Sequence, residues 1–220
     1  MARPKQTSEV ADSIRAEICA AAARLYDRNG YEAVTLRAIA AEMGRSQALP
    51  YRYFKNKDHI FAALRANCFD RLSDRLLAAT AVVDEPLAKL YRMVMSFTEF
   101  ATSQPAEFRL MYSLRQPNPA HFPELQAARL RTIAVVQDAY QFAASAGRLR
   151  GDAIVGAHIT WASFHGLLSL HLASQLNVGL SLDDLIEPML DTLFGPGTVA
   201  TAKAARERPP VVPESPSDHG

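Results

Sequence analysis

Between Thr35 and Lys57 the chain gathers side chains suited to gripping a polyanion rather than to breaking bonds. Thr35 and Ser46 stand where short helices are expected to begin. A hydroxyl at such an N-cap, beside free backbone N–H groups, offers a place for a phosphate oxygen. Tyr51 and Tyr53 supply phenolic donors, and Arg52 and Lys57 supply positive charge; such groups position a protein on a backbone without reading sequence. Gln47 can pair bidentately with adenine, Ala48 and Leu49 can meet a thymine methyl, and Arg37 can reach guanine. Arg45 either adds a phosphate contact or stays solvated, and Phe54 is better suited to a core.

Charge distribution agrees with that chemistry. The 220 residues carry a formal net charge of only +1. Residues 1–57, however, hold ten Lys or Arg against six Asp or Glu, so the N-terminal end is the one fitted to a polyanion. Cys19 and Cys68 are isolated within helical patterns, which argues against a disulfide framework or a metal knuckle. His158 and His165 lie seven residues apart, about 10 Å along a helix, too far to share an ion, and neither a metal nor a cofactor is expected. Apolar runs are read as broken by Arg, Asp or Glu before the roughly 20 residues that cross a bilayer. The polar start Met1–Gln6 has no apolar stretch of signal-peptide type behind it. These features predict a soluble, cytoplasmic protein without membrane contact.

The elements that must position these groups are all helices. The first runs from about Ser8, with Val10, Ile14, Ile18, Ala22 and Leu25 on one stripe, to a stop at Asn29-Gly30. Thr35 caps a second, ended by Gly44. Ser46 caps a third, reaching about Tyr53, and Asn56 caps a long fourth. Two short helices joined at a glycine and packed on a longer one form the arrangement that places a recognition helix in a major groove. Further helices are expected at about 86–102, 105–114, 123–146, 152–175 and 181–194, with a loop at Gln116–Pro119. The segment 196–220, rich in proline, is expected to be a disordered tail. The fold class is therefore all-α, about nine helices: a helix-turn-helix domain over 8–57 and a helical body over 58–195.

The run Ala22-Ala23-Arg24-Leu25-Tyr26, Gly30-Tyr31, Thr35, Ile39-Ala40, Gly44, Ser46 and Tyr51-Arg52-Tyr53-Phe54-Lys55-Asn56-Lys57-Asp58 resembles the N-terminal signature of the tetracycline-repressor (TetR) family. Two positions depart from it. Arg45 replaces the usual small apolar residue, and Pro50 replaces the usual Leu or Ile and removes a bond back to the Ser46 carbonyl. Trp161-Ala162-Ser163-Phe164-His165-Gly166-Leu167 resembles the C-terminal type named for its Trp-His-Gly motif.

The resemblance implies a homodimeric regulator of transcription, paired through its last two helices, whose double-stranded DNA operator is palindromic. It also implies release of the operator by a small-molecule effector, apolar or amphipathic. Phe97, Phe100, Met111, Tyr112, Phe142, Trp161 and His165 are the pocket candidates; an ordinary core is the alternative for any one of them. An activator, a regulator without a ligand and a carrier without DNA binding are the rival readings. An enzyme built on His165 with Ser163 or Ser169 is set aside because those side chains are expected to point apart and no oxyanion device is visible.

Overall fold

The computed structural model describes residues 8–112, 118–176 and 179–207. Among them there is no strand. The helices are α1 (Ser8–Ala33), α2 (Leu36–Glu42), α3 (Ala48–Tyr53), α4 (Lys57–Ala81), α5 (Pro86–Ser103), α6 (Pro105–Tyr112), α7 (Pro123–Ser145), α8 (Ala153–Leu172), α9 (Leu182–Phe194) and α10 (Thr198–Glu207). Between α6 and α7 a 3-10 turn spans Pro119–His121. Residues 113–117, which include Gln116-Pro117 of the expected loop, the leader Met1–Gln6 and the segment 208–220 lie outside the described residues.

The chain forms two compact units, one of residues 1–74 and 103–134, the other of 75–102 and 135–220. The first unit therefore takes in the helix-turn-helix, the first part of α4, α6 and the start of α7, and extends well beyond position 57. Ile18, Ala22, Val34, Ile39, Ala40, Ile60 and Phe61 are fully or almost fully buried in it. Polar bonds also tie its helices: the Arg65 guanidinium donates to the Met111 carbonyl (3.1 Å), Arg71 pairs with Glu107 (2.6 Å), and Ser73 and Thr132 share a hydroxyl bond of 2.7 Å. Cys19 and Cys68 are buried small hydrophobes as expected, and burial lifts their thiols to about 11 and about 12, so both stay protonated.

In the second unit the start signals read from sequence operate. The Asp152 carboxylate accepts from the N–H groups of Ile154 (2.7 Å) and Val155 (3.0 Å). Ser181 and Asp184 form a reciprocal capping box at α9. Tyr140 of α7 is 6% exposed, its hydroxyl bonded to Thr160 of α8 and its ring 5.7 Å from that of Phe194.

Two expectations are corrected here. Residues 198–207 do not belong to a featureless tail: they form α10, the tenth α-helix among the described residues. Gly195 and Gly197, at φ 102° and 84°, turn the chain back, Thr198 and Val199 become buried, the Val199 N–H bonds the Asp191 carboxylate (3.1 Å), and Lys203 pairs with Glu187 (2.7 Å). Alanines and one short apolar patch suffice for a helix once α9 lies alongside to pack on. The second correction concerns α8, whose 20 residues contain no Asp, Glu, Lys or Arg and which is long and apolar enough to cross a membrane. Its side chains divide instead by face. Ala157, Thr160, Phe164, Leu167 and Leu168 are buried within the protomer, while Val155, Ile159, Ala162 and Leu170 are exposed along the opposite side.

Candidate nucleic-acid interface

Gly30 sets the geometry of the reading head. At φ 74° it leaves helical backbone, which glycine does at least cost, and turns the end of α1 toward Thr35. Thr35 is extended (φ −129°, ψ 157°), and its Oγ1 accepts the Ala38 N–H at 3.0 Å, the N-cap read from sequence. Gly44 at φ 61° ends α2 and the chain doubles into α3. The helices are braced by Glu42, whose carboxylate accepts from Arg24 of α1 (3.1 Å) and Arg28 of α1 (2.5 Å) and is held below the ordinary carboxylate range by those two bonds. Arg15 donates to the Tyr53 carbonyl (2.9 Å) and lies 4.4 Å from the centre of the Phe54 ring, so Phe54 is core, as expected. Sequence reasoning passed over Arg15, Arg24 and Arg28 as structural residues. The four-residue spacing of Arg24 and Arg28, which puts both on one face of α1, was the available signal.

Ser46 is corrected. It does not cap α3, which begins two residues later at Ala48 behind Gln47, a residue with helical backbone and no side-chain capping bond. The Ser46 carbonyl is taken by the Leu49 N–H at 3.0 Å. Pro50 then falls in the first turn, where its missing N–H has no partner to lose, and it is buried while its carbonyl accepts the Phe54 N–H at 2.9 Å. The departure from the family pattern thus fits a short, intact α3.

Around that helix the structure gathers most of the predicted residues on exposed surface: Thr35, Arg37, Arg45, Ser46, Gln47, Ala48, Tyr51 and Arg52. Leu49 and Tyr53 are half-buried beside them. The Arg37 Nε lies 3.4 Å from the Gln47 Oε1, so the two side chains chosen for guanine and adenine sit together across the turn. Arg45 has only a loose pairing with Glu17 at 3.9 Å. Among the described residues no carboxylate lies within ion-pair distance of Arg37 or Arg52. Lys57 differs: its ammonium donates to the Tyr31 carbonyl and sits 3.7 Å from the centre of the Tyr31 ring.

The effector candidates are divided between the two units. Met111 and Tyr112 belong to the first unit and the other five to the second. Phe97, Phe100 and Met111 are buried, whereas Phe142 and Trp161 are 44% and 42% exposed. Phe142 lies under the Lys89 ammonium at 5.4 Å, and Trp161 beside His165 at 5.8 Å between ring centres. Partial burial lowers the His165 pKa below its ordinary value. Contrary to the expectation that the neighbouring serines point away, the Ser169 Oγ is 3.5 Å from the His165 Nδ1. They are four residues apart on α8 and so share a face.

The chain matches the family described as bacterial regulatory proteins, tetR family, over residues 18–64, and the tetracyclin repressor-like C-terminal domain over residues 90–193. The second match includes the Trp161–Leu167 motif. The nucleoid occlusion factor SlmA of Pasteurella multocida is 30% identical over 87 residues, 40% of this chain and 44% of that protein, so the alignment spans less than half of that relative's length. The HTH-type transcriptional regulator HbdR of Aromatoleum sp. is 25% identical over 210 residues, 91% of this chain and 90% of that one. The Bacillus subtilis regulator FadR, solved in complex with stearoyl-CoA, superposes with a TM-score of 0.69 at 16% identity, covering 81% of this chain and 97% of that one. With both matches together covering more than half of its length, the chain belongs to the TetR family of helix-turn-helix transcriptional regulators.

Proposed function

We propose that the protein is a cytoplasmic repressor that holds a palindromic operator as a homodimer and lets go when a small amphipathic effector binds. The observation that carries this reading is the exposed Arg37–Gln47 pair across the Gly44 turn, flanked by Thr35, Ser46, Tyr51 and Arg52. The group combines side chains able to read base edges with donors suited to phosphates, the two kinds that sequence-specific binding requires. Two copies would put their α3 helices in successive major grooves about 34–36 Å apart. The open, uncharged face of α8 supports pairing of the two copies, because Val155, Ile159, Ala162 and Leu170 line it and a side chain added at Gly166 would meet nothing within 4 Å. α9, the second helix of the pairing, packs against α8.

An effector stabilises the released state only by its differential affinity for that state. An apolar or amphipathic ligand is supported by the buried aromatic face of α5, which carries Phe97 and Phe100. The stearoyl-CoA bound to the FadR structure has that same amphipathic character. No catalytic step is assigned to the chain.

Selection of the purified protein against random duplexes at moderate salt tests the proposal. A palindrome with spaced half-sites is the expected product. Gln47→Ala should then weaken binding to the selected site by about 1–3 kcal/mol and relax preference at one position of each half-site. Retention of duplexes without any enriched sequence would sink the operator reading.

A further inference from the structure

Lys57 carries the positive charge that opens α4, and its side chain turns toward its own protein. Its ammonium donates to the Tyr31 carbonyl, lies 3.7 Å from the centre of the Tyr31 ring and stands 5.9 Å from that of Phe61. The same carbonyl accepts the Val34 N–H at 3.2 Å, and the Tyr31 hydroxyl donates to the Asp58 carboxylate at 3.2 Å. Tyr31 packs on Phe61 with ring centres 4.6 Å apart. These contacts join the first turn of α4 to the residue directly after Gly30, the corner from which the chain sets off into α2 and α3. A cation held between a carbonyl and an aromatic face is geometrically restrained from two directions. Burial lowers the Lys57 pKa from its ordinary value. Lys55, two residues earlier, is exposed and carries no such bond.

We infer that Lys57 is a positioning residue that locks the Gly30–Tyr31 corner to α4 and thereby sets the angle of α2 and α3, and that the phosphate charge contact at this edge of the reading head is made by Lys55. The inference rests on the helix-turn-helix being the operator-reading head. Its consequence separates cleanly from a direct phosphate contact. A lysine that neutralises a phosphate releases counterions on binding, so its loss lowers the salt slope by about 0.9. A lysine that only orients other groups lowers affinity at every salt concentration and leaves the slope alone.

The test is the dissociation constant of the full-length protein for its selected duplex, measured against salt concentration well below the melting temperature of every variant. Lys57→Met is expected to weaken operator binding about tenfold at an unchanged slope, with a lower melting temperature. Lys57→Arg, which keeps a cation able to stack on Tyr31 and donate to its carbonyl, should restore most of the affinity. Lys55→Ala should lower the slope by about one at an unchanged melting temperature. The inference is overturned if Lys57→Met lowers the slope by about one at constant stability, or if it lowers stability and leaves affinity at the wild-type value. Should Lys57→Met fail to fold, Lys57→Arg and Lys55→Ala decide: a wild-type slope in the first and a reduced slope in the second support it, and the reverse pattern refutes it. Gln47→Ala, read in the same assay, tests operator reading itself, so the two failures are distinguishable.

Discussion

Ala162→Arg is expected to turn the protein into a monomer that holds its operator roughly a thousandfold less tightly, the order of the gap between specific and non-specific binding. Ala162 is exposed on α8 in a stripe with Val155, Ile159 and Leu170, directly opposite the buried stripe of Ala157, Thr160, Phe164, Leu167 and Leu168. In a dimer paired through α8 the two new guanidiniums would meet across the two-fold axis, desolvated and on helices with no carboxylate of their own. An uncompensated buried charge costs about 3–5 kcal/mol, and symmetry supplies two. The single protomer should still fold because the site is open in the single chain, and its melting temperature should fall only by what association contributes. Size-exclusion chromatography with light scattering should report the mass of one 24.1 kDa chain where the wild type gives two. A variant that keeps the wild-type mass and operator affinity would place the pairing surface elsewhere.

The elements of the fold were largely legible because their start and stop signals are local. Thr35, Asp152 and Ser181 cap the helices they were expected to cap, and Asn56 accepts the His59 N–H at 3.1 Å at the start of α4. Gly30 and Gly44, expected to stop their helices, take left-handed backbone. What failed depended on neighbours distant in sequence. α10 has weak intrinsic signals and exists against α9, through Asp191 and Glu187. In α8 the histidines, serines and threonine mask the absence of charge, and only packing shows which half of the helix the protomer buries. Ser46 looked like a cap from composition, yet the turn after Gly44 needs two more residues before helical bonding begins.

The site was legible in residue type more than in role. Exposure of Arg37, Gln47, Tyr51 and Arg52 follows from the amphipathic pattern of short helices whose apolar side is claimed by Leu36, Ile39 and Ala40. The destination of a long flexible cation does not follow from such a pattern. Lys55 and Lys57 are near neighbours of equal charge, and only the position of the Tyr31 ring distinguishes them. Residue type also does not show how the effector candidates divide by exposure, with Phe97 and Phe100 buried and Phe142 and Trp161 exposed.

Gly156→Ala is the substitution expected to damage the second unit most for its size. Helix propensity alone favours it by about 1 kcal/mol, since alanine loses less backbone entropy than glycine in a helix interior. At this position, however, the added Cβ would stand 2.5 Å from Tyr140 Cε1 and 3.0 Å from its Cδ1. The ring has little room to retreat, being 6% exposed, packed on Phe194 and tied by its hydroxyl to Thr160. Overpacking of this kind costs about 1–3 kcal/mol. If the ring shifts, a buried hydroxyl also loses its partner, a further cost of about 1–3 kcal/mol. The clash therefore outweighs propensity, and the melting temperature should fall by several degrees, at about 2–4 °C per kcal/mol for a chain of this size. Gly166→Ala on the same helix is the matched control, because nothing lies within 4 Å of its added Cβ. The control should gain stability by propensity in the single protomer and lose affinity between copies if two α8 helices cross there. Thermal melts and a dilution series on both variants separate these effects. A Gly156→Ala protein that melts at or above the wild type would show that Tyr140 is free to move and that the close approach of α7 and α8 is not what holds this unit together.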